Sequence, residues 1–282
     1  MEFLPVFRHP RPNPKADPGD PPCRPRSDRR SRLALTLWLA SILALPADPR
    51  PTLASPASSR TGAPGMLQPH TGSLLVDYYE AFLRDQDIES FRRNVSARYS
   101  EGTLARLLQS GEPQARRASV LALGLFGGFG SNAAVARALK DTDPTVRTLA
   151  DNALWAIWFR ADSAENNEAL ERVRASINRG RFDDAIEQAD RLIARAPTFA
   201  EAYNQRAIAH FFQGRFAESA ADCKRVLEHN PYHVGALSGM GQCQIRLGRR
   251  DDAIKTFRRA LEIQPYNQGL RETIAELEAG DR

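Results

Sequence analysis

Apolar residues recur along most of this chain at the three- and four-residue spacing of one helix face. The run Ala253, Ile254, Phe257, Ala260 and Leu261 is one example. No segment of the sequence alternates apolar and polar residues in the two-residue pattern of a half-buried strand. The pattern therefore predicts an all-α fold built from packed helical hairpins.

A fixed period of 34 residues runs through the C-terminal part of the chain. It is marked by Gly180, Gly214 and Gly248 and, in constant phase, by Pro197, Pro231 and Pro265. Glycine can end a helix in the left-handed conformation without steric cost, and proline cannot continue a helix. Each period is therefore predicted to contain a helix, a glycine turn, a second helix and a proline. Such a hairpin cannot bury its apolar face alone, so neighbouring repeats must stack.

This phasing of glycine and proline resembles the tetratricopeptide repeat. The resemblance covers three repeats over residues 163–267, and residues 268–282 resemble the C-terminal capping helix of such arrays. It implies an α-solenoid in which the first helix of each repeat lines a concave groove. In this family the groove binds a protein or a peptide.

A second period, of 31 residues, lies upstream. It relates Glu112 and Pro113 to Asp143 and Pro144, and each proline is expected at the first position of a helix. The same spacing relates Arg116 to Arg147. These residues resemble short HEAT-type repeats, and we predict two of them over residues 101–162. Residues 73–100 are predicted to be helices that cap this end of the array.

The N-terminal residues differ in composition from the rest of the chain. Residues 1–57 are rich in proline and arginine and are predicted to be disordered, except for an uncharged apolar run at 33–45. Basic residues followed by an apolar run too short to span a bilayer are typical of a signal peptide, or of an anchor if the run is not cleaved. Residues 58–72 read as a linker.

The net charge of +5 comes mainly from this N-terminal segment. Residues 1–54 hold nine lysines and arginines against five acids, which leaves the remainder nearly neutral. A nucleic-acid groove needs a basic face on the folded domain. We therefore expect no nucleic-acid partner, and membrane contact only through the apolar run.

The tetratricopeptide resemblance implies which side chains would line the groove. In this sequence the corresponding positions are Arg174, Asn178, Glu201, Asn204, Ile208, Phe212, Ser238, Gln242 and Arg246, together with Leu170. Their amides and arginines suit the backbone carbonyls and acidic side chains of an extended peptide. One subclass grips a C-terminal carboxylate with Lys, Asn, Asn, Lys and Arg. Those positions hold Leu170, Arg174, Gln205, Gly235 and Gly239 here, so that clamp is not expected.

Other residues could in principle form a phosphate site or a metal site. The glycines from Gly124 to Gly130 could cradle a phosphate, but a helix rather than a strand is predicted before them, which favours a turn between repeats. Cys223, His229 and His233 could bind a metal, but Pro231 separates the histidines, so a structural role is favoured. No cofactor, metal or catalytic set is expected.

Two further features allow alternative interpretations. Cys223 and Cys243 lie on predicted neighbouring helices and could form a disulfide in an exported protein, or serve as small apolar residues. Trp155, Trp158 and Phe159 could form a ligand shelf, but are expected to fill the junction between the two repeat types.

The sequence therefore predicts a non-enzymatic scaffold or adaptor that binds a protein or peptide in a helical-repeat groove. It is expected to be exported or anchored, and so extracytoplasmic. Two alternatives stay open: a cytosolic regulatory adaptor whose start is misassigned, and an accessory subunit of an enzyme or assembly machine.

Overall fold

A computed structural model describes residues 73–280. The predicted signal peptide or anchor, the disordered segment and the linker lie outside the described residues. Within that range the chain forms thirteen α-helices and no strand, which confirms the all-α fold. The helices are α1 (Leu74–Asp85), α2 (Ile88–Ser96), α3 (Glu101–Ser110), α4 (Pro113–Phe126), α5 (Asn132–Ala138), α6 (Pro144–Phe159), α7 (Ala164–Asn178), α8 (Phe182–Arg195), α9 (Ala200–Phe212), α10 (Phe216–His229), α11 (Val234–Arg246), α12 (Arg250–Ile263) and α13 (Gln268–Ala279). None of these helices is both long enough and apolar enough to cross a membrane.

The C-terminal helices form the predicted hairpins α7–α8, α9–α10 and α11–α12, followed by α13. We call α7–α13 the repeat array. In the turn inside each hairpin a glycine adopts positive φ, at +72° for Gly180, +76° for Gly214 and +72° for Gly248. We call these the intra-repeat turns. The prolines follow the second helices, in what we call the inter-repeat turns, as the sequence predicts.

The upstream hairpins are α3–α4 and α5–α6. Pro113 and Pro144 occupy the first turn of the longer helices, and the side chain of Asp143 accepts a hydrogen bond from the amide of Thr145. The glycine-rich segment is a turn, as predicted, because α4 ends at Phe126 and a 3-10 turn, Phe129–Ser131, precedes α5. Gly124 lies inside α4, where an added Cβ would stand 3.0 Å from the Cβ of Ala153 on α6. Glycine at this position therefore lets α4 and α6 pack closely.

Two helices, α1 and α2, cover the start of the upstream hairpins. Their contact is an aromatic cluster of Tyr79, Phe82 and Phe91, with ring centroids 5.8–6.4 Å apart. These rings belong to the same buried core as Leu104, Leu123 and Val135 of the upstream hairpins. Residues 73–100 therefore contain two helices.

Helix α6 joins the upstream hairpins to the repeat array by lying against its inter-repeat turns. The guanidinium of Arg147 lies 4.0 Å from the ring centroid of Tyr266, and Asp151 accepts a 2.8 Å hydrogen bond from Gln264. Farther along α6, Trp158 stacks on His233, which lies in an earlier inter-repeat turn. Sixteen helical residues span about 24 Å, enough to cross more than one repeat. The tryptophans therefore fill the junction, as expected, and reach beyond the first repeat of the array.

Candidate functional site

The candidate site is the face formed by α7, α9 and α11, the first helices of the three hairpins. We call it the first-helix face. Its exposure changes sharply along the helices. Residues 200–205, at the start of α9, are all buried, whereas Phe212 at the end of the same helix is 50% exposed. We call the starts of α9 and α11 the covered end, and the final residues of α7, α9 and α11 the open end.

The predicted groove residues divide between these two ends. Glu201 and Asn204 are buried at the covered end, and Asn178, Phe212 and Arg246 are exposed at the open end. The remaining four, Arg174, Ile208, Ser238 and Gln242, are partly buried between them. Leu170, at a corresponding position, is fully buried. The structure thus leaves only part of the predicted set accessible to a partner.

Glu201 organises the covered end from inside the protein. Its Oε1 atom accepts hydrogen bonds of 2.8 Å from both Asn204 Nδ2 and Gln205 Nε2. Its Oε2 atom lies 2.9 Å from Nε2 of His233, whose Nδ1 accepts from the amide of Ala236. That arrangement leaves the His233 Nε2–H to donate to the carboxylate. The assignment of Glu201 and Asn204 to an accessible groove is therefore corrected: both are buried and hold the fold together.

Two tryptophans of α6 seal the covered end. Trp158, 2% exposed, stacks on the His233 ring at a centroid distance of 4.0 Å and 19° between planes. Its Nε1–H donates to Asn132, whose own amide donates to Asn230, each at 2.8 Å. Trp155 meets His233 edge-on at 5.5 Å. These directional hydrogen bonds favour one arrangement of the junction.

Gly235 explains how α6 comes so close. A Cβ added at this position would lie 2.8 Å from Cη2 of Trp155, which is too close for any other residue without movement. In the sequence, Gly235 was interpreted only as the absence of a lysine that would grip a C-terminal carboxylate. The signal that this interpretation missed is that a glycine early in a helix can mark close approach of another element.

The seal continues to α7 through Phe159. The guanidinium of Arg174 lies 5.0 Å from the Phe159 ring centroid and 3.2 Å from the Glu171 carboxylate. Arg174 is therefore held by the protein itself, with 26% of its side chain exposed. It can offer only part of its hydrogen-bonding capacity to a partner.

The open end carries a continuous row of rings. Phe182 and Phe212 stack at 5.3 Å with 13° between planes, Phe212 meets Phe211 at 6.2 Å, and Phe211 meets Phe216 at 5.3 Å. The guanidinium of Arg246 lies 4.5 Å above Phe216 and ends the row. We call these five residues the aromatic row. It links the ends of α9 and α11 to the starts of α8 and α10.

The charges around the open end are unevenly paired. Arg181 pairs with Asp184, Arg215 pairs with Glu218, and Asp183 accepts a 2.7 Å hydrogen bond from Gln213. The amide of its own residue and the Arg215 guanidinium lower the pKa of the Glu218 carboxyl. Among the described residues no ion pair forms at Arg179, Arg246 or Arg249. Guanidinium groups therefore have unused capacity here, whereas most neighbouring carboxylates are occupied.

Cys223, Cys243 and His233 make contacts inside the fold. Cys223 and Cys243 are buried free thiols, and Cys243 Sγ lies 3.2 Å from Ser219 Oγ. Burial raises the pKa of both thiols, which disfavours the reactive thiolate. His233 is engaged with Glu201, and the described residues contain no cluster of three or more His, Cys, Asp or Glu side chains suited to a metal.

Comparisons with known proteins identify the repeats. Two family models of the tetratricopeptide repeat match residues 170–233 and 210–276. The chain therefore contains tetratricopeptide repeats, as the period predicts. No curated protein sequence matches the chain.

Solved tetratricopeptide domains resemble part of the chain. One is the first such domain of Spaghetti (RPAP3) bound to the HSP90 peptide SRMEEVD, with 24% identity and a TM-score of 0.41, covering 42% of this chain and 94% of that one. A second is the TPR2B domain of yeast Sti1 in a pHsp70 complex, with 26% identity, a TM-score of 0.38 and coverages of 41% and 94%. A third is the Sgt2 domain from Aspergillus fumigatus, with 16% identity, a TM-score of 0.40 and coverages of 43% and 81%. Scores this low assign no partner to this chain.

Proposed function

We propose that this chain is a non-enzymatic interaction protein whose repeat array binds a segment of a protein partner at the open end of the first-helix face. The observation that carries the proposal is the exposure of Phe212 and Arg246 at the open end of the first-helix face, whose covered end is sealed by α6. Aromatic side chains, phenylalanine included, and arginine are enriched at protein–protein interfaces relative to the rest of the protein surface.

The contact set is narrower than the full groove. It comprises Asn178, Ile208, Phe212, Ser238, Gln242 and Arg246, with Arg174 at its inner limit. Amide and guanidinium groups donate hydrogen bonds to backbone carbonyls and carboxylates, which suits an extended segment. Glu201 and Asn204 are not in the set because their hydrogen bonds are already made within the protein.

The experiment is site-specific photo-crosslinking in the native cell. The photoreactive residue p-benzoylphenylalanine replaces Asn178 in one variant and Gln242 in another, both in the full chain. The control places it at Arg259, an exposed position on α12. We expect the same protein to be cross-linked from Asn178 and Gln242 but not from Arg259. Equal capture from all three sites, or capture from none, contradicts the proposal.

We also propose that α3–α6 are short HEAT-type repeats that brace the repeat array. The support is a pair of equivalent contacts between the two hairpins: Arg116 forms two hydrogen bonds of 2.8 and 2.9 Å with Asp141, and Arg117 one of 2.7 Å with Asp143. Arg147, one period after Arg116, stacks on Tyr266 of the array instead. Exchanging Asp141 for asparagine should weaken the hairpin contact, and an unchanged unfolding midpoint contradicts the bracing role.

For location we propose export or anchoring, on the basis of the basic residues and apolar run at 33–45. N-terminal sequencing of the protein from its native source tests this. Cleavage is expected shortly after the apolar run. An intact residue 30 in a soluble cytosolic protein contradicts export and favours the cytosolic adaptor.

A further inference from the structure

Three residues at the open end occupy the same position in successive repeats. Asn178, Phe212 and Arg246 are the last residues of α7, α9 and α11, and each is 34 residues from the next. All three are exposed. The first-helix face therefore ends in three successive side chains: an amide, an aromatic ring and a guanidinium.

From this row we infer the chemistry of the partner. We propose that it presents a large apolar side chain to Phe212 and a carboxylate to Arg246, about three residues apart in an extended segment. Neighbouring helices pack about 8–10 Å apart, and an extended chain advances about 3.3 Å per residue, which sets that spacing. The inference rests on the proposed function and specifies its ligand.

Phe212 is prepared to receive an apolar side chain. One face of its ring stacks on Phe182 and its edge meets Phe211, yet half of the side chain stays exposed. Leu247, 37% exposed, adds apolar surface next to Arg246. A ring already fixed by its neighbours loses little conformational freedom on binding, which favours affinity.

Arg246 is prepared to receive a carboxylate. The guanidinium carbon of Arg246 lies 4.5 Å from the centroid of the Phe216 ring, and a contact with the ring face does not use the N–H donors. It forms no ion pair among the described residues, and Arg179 and Arg249 in the flanking turns form none either. A stacked, charged and unpaired guanidinium at an exposed position favours a carboxylate partner.

A single-stranded nucleic acid is the rival ligand, since stacking rings and arginines also bind bases and phosphates. The first helical turns of α8, α10 and α12, which follow directly, carry Asp183, Asp184, Glu218, Asp251 and Asp252. A continuous polyphosphate would run past these acids and be repelled, whereas a peptide can place one carboxylate at Arg246. The charges therefore favour a peptide.

The test is selection of random dodecapeptides on phage against the immobilised full chain. Parallel selections use Arg246→Glu and the control Arg259→Glu, whose arginine is exposed on α12. We expect wild type and the control to enrich peptides with an aromatic or large aliphatic residue two to four positions from Asp or Glu. Arg246→Glu should lose the acidic preference. The labelled best peptide should bind Phe212→Ala and Arg246→Glu about tenfold more weakly, and the control within about twofold.

Each other outcome has a distinct meaning. Enriched peptides that lack the apolar–acidic spacing, or that bind Arg246→Glu as well as wild type, refute this inference and leave the proposed function standing. Failure of the wild type to enrich any peptide counts against the proposed function itself. Tighter binding of oligothymidine than of the best peptide overturns the peptide assignment.

Discussion

The two ends of helix α9 lie on the same face of the same repeat and do different work. Glu201, near its start, is buried under α6 and makes three hydrogen bonds inside the protein. Phe212, at its end, is half exposed and belongs to the aromatic row. The tetratricopeptide resemblance predicts that both positions line the groove. The position of a residue in the repeat determines the face on which its side chain lies. Whether a partner can contact that side chain depends on α6, a helix outside the repeats.

The largest expected effect comes from removing the seal at the covered end. Trp158→Ala deletes a buried ring that stacks on His233 and donates to Asn132, and it should lower the free energy of unfolding by about 3–5 kcal/mol. Phe212→Ala, at the open end, should cost about 1 kcal/mol or less because the ring is half exposed. Urea unfolding of both variants measures the contrast. Equal losses would remove the distinction between the two ends.

A matched pair of glycines on α11 sharpens the comparison. Gly235→Ala drives a methyl group into Trp155 and should destabilise the protein by about 1–3 kcal/mol through overpacking. At Gly239 the added Cβ meets only Cys223 Sγ at 3.4 Å, an ordinary contact. Gly239→Ala should therefore be neutral or stabilise the helix by about 0.5–1 kcal/mol. Thermal unfolding reports both, and a harmless Gly235→Ala would mean that α6 does not sit so close.

At the open end, replacing a turn glycine by alanine should lower the free energy of unfolding through backbone conformation rather than through a steric clash. Gly214 has φ of +76° and nothing within 4 Å of an added Cβ, so Gly214→Ala should cost about 1–2 kcal/mol for the left-handed backbone alone. Gly130 has similar open space without positive φ. Gly130→Ala is therefore the control, and it should unfold at nearly the wild-type denaturant midpoint. A Gly214→Ala variant that matches this control contradicts the account of the intra-repeat turn.

The smallest effect concerns the carboxyl group of Asp151 on α6. Burial raises the pKa of Asp151, and its hydrogen bond from Gln264 opposes the rise only in part. The folded protein therefore keeps the Asp151 proton to a higher pH than the unfolded chain does. The free energy of unfolding of the wild type then falls as the pH rises from the pKa of the unfolded carboxyl to that of the folded one. Asp151→Asn removes this loss and should be the more stable protein at neutral pH. The advantage should vanish below about pH 4, where the unfolded carboxyl is also protonated. An advantage that does not depend on pH contradicts the assignment.

The sequence predicted the features that depend on local backbone chemistry, such as the ends of the helices. Gly180 and Pro197 fix helix ends by backbone chemistry, so their period was sufficient to predict the hairpins and, through the family resemblance, the face. It could not predict that Trp158 would meet His233, because the two are far apart in sequence and the contact depends on how α6 packs as a whole. Glu201 was misassigned for the same reason. Its position in the repeat follows from the 34-residue period, but the helix that covers it lies outside the repeats.

Hydroxyl-radical footprinting of the native full chain tests most directly whether α6 seals one end of the first-helix face and leaves the other open. Tryptophan and tyrosine are intrinsically more reactive than phenylalanine, so exposure alone can reverse the order. The account predicts that Trp158 is oxidised more slowly than Phe212, and that a bound partner protects Phe212 alone of the two. Rapid oxidation of Trp158 in the folded protein, or protection of Trp158 rather than Phe212 by the partner, would contradict it.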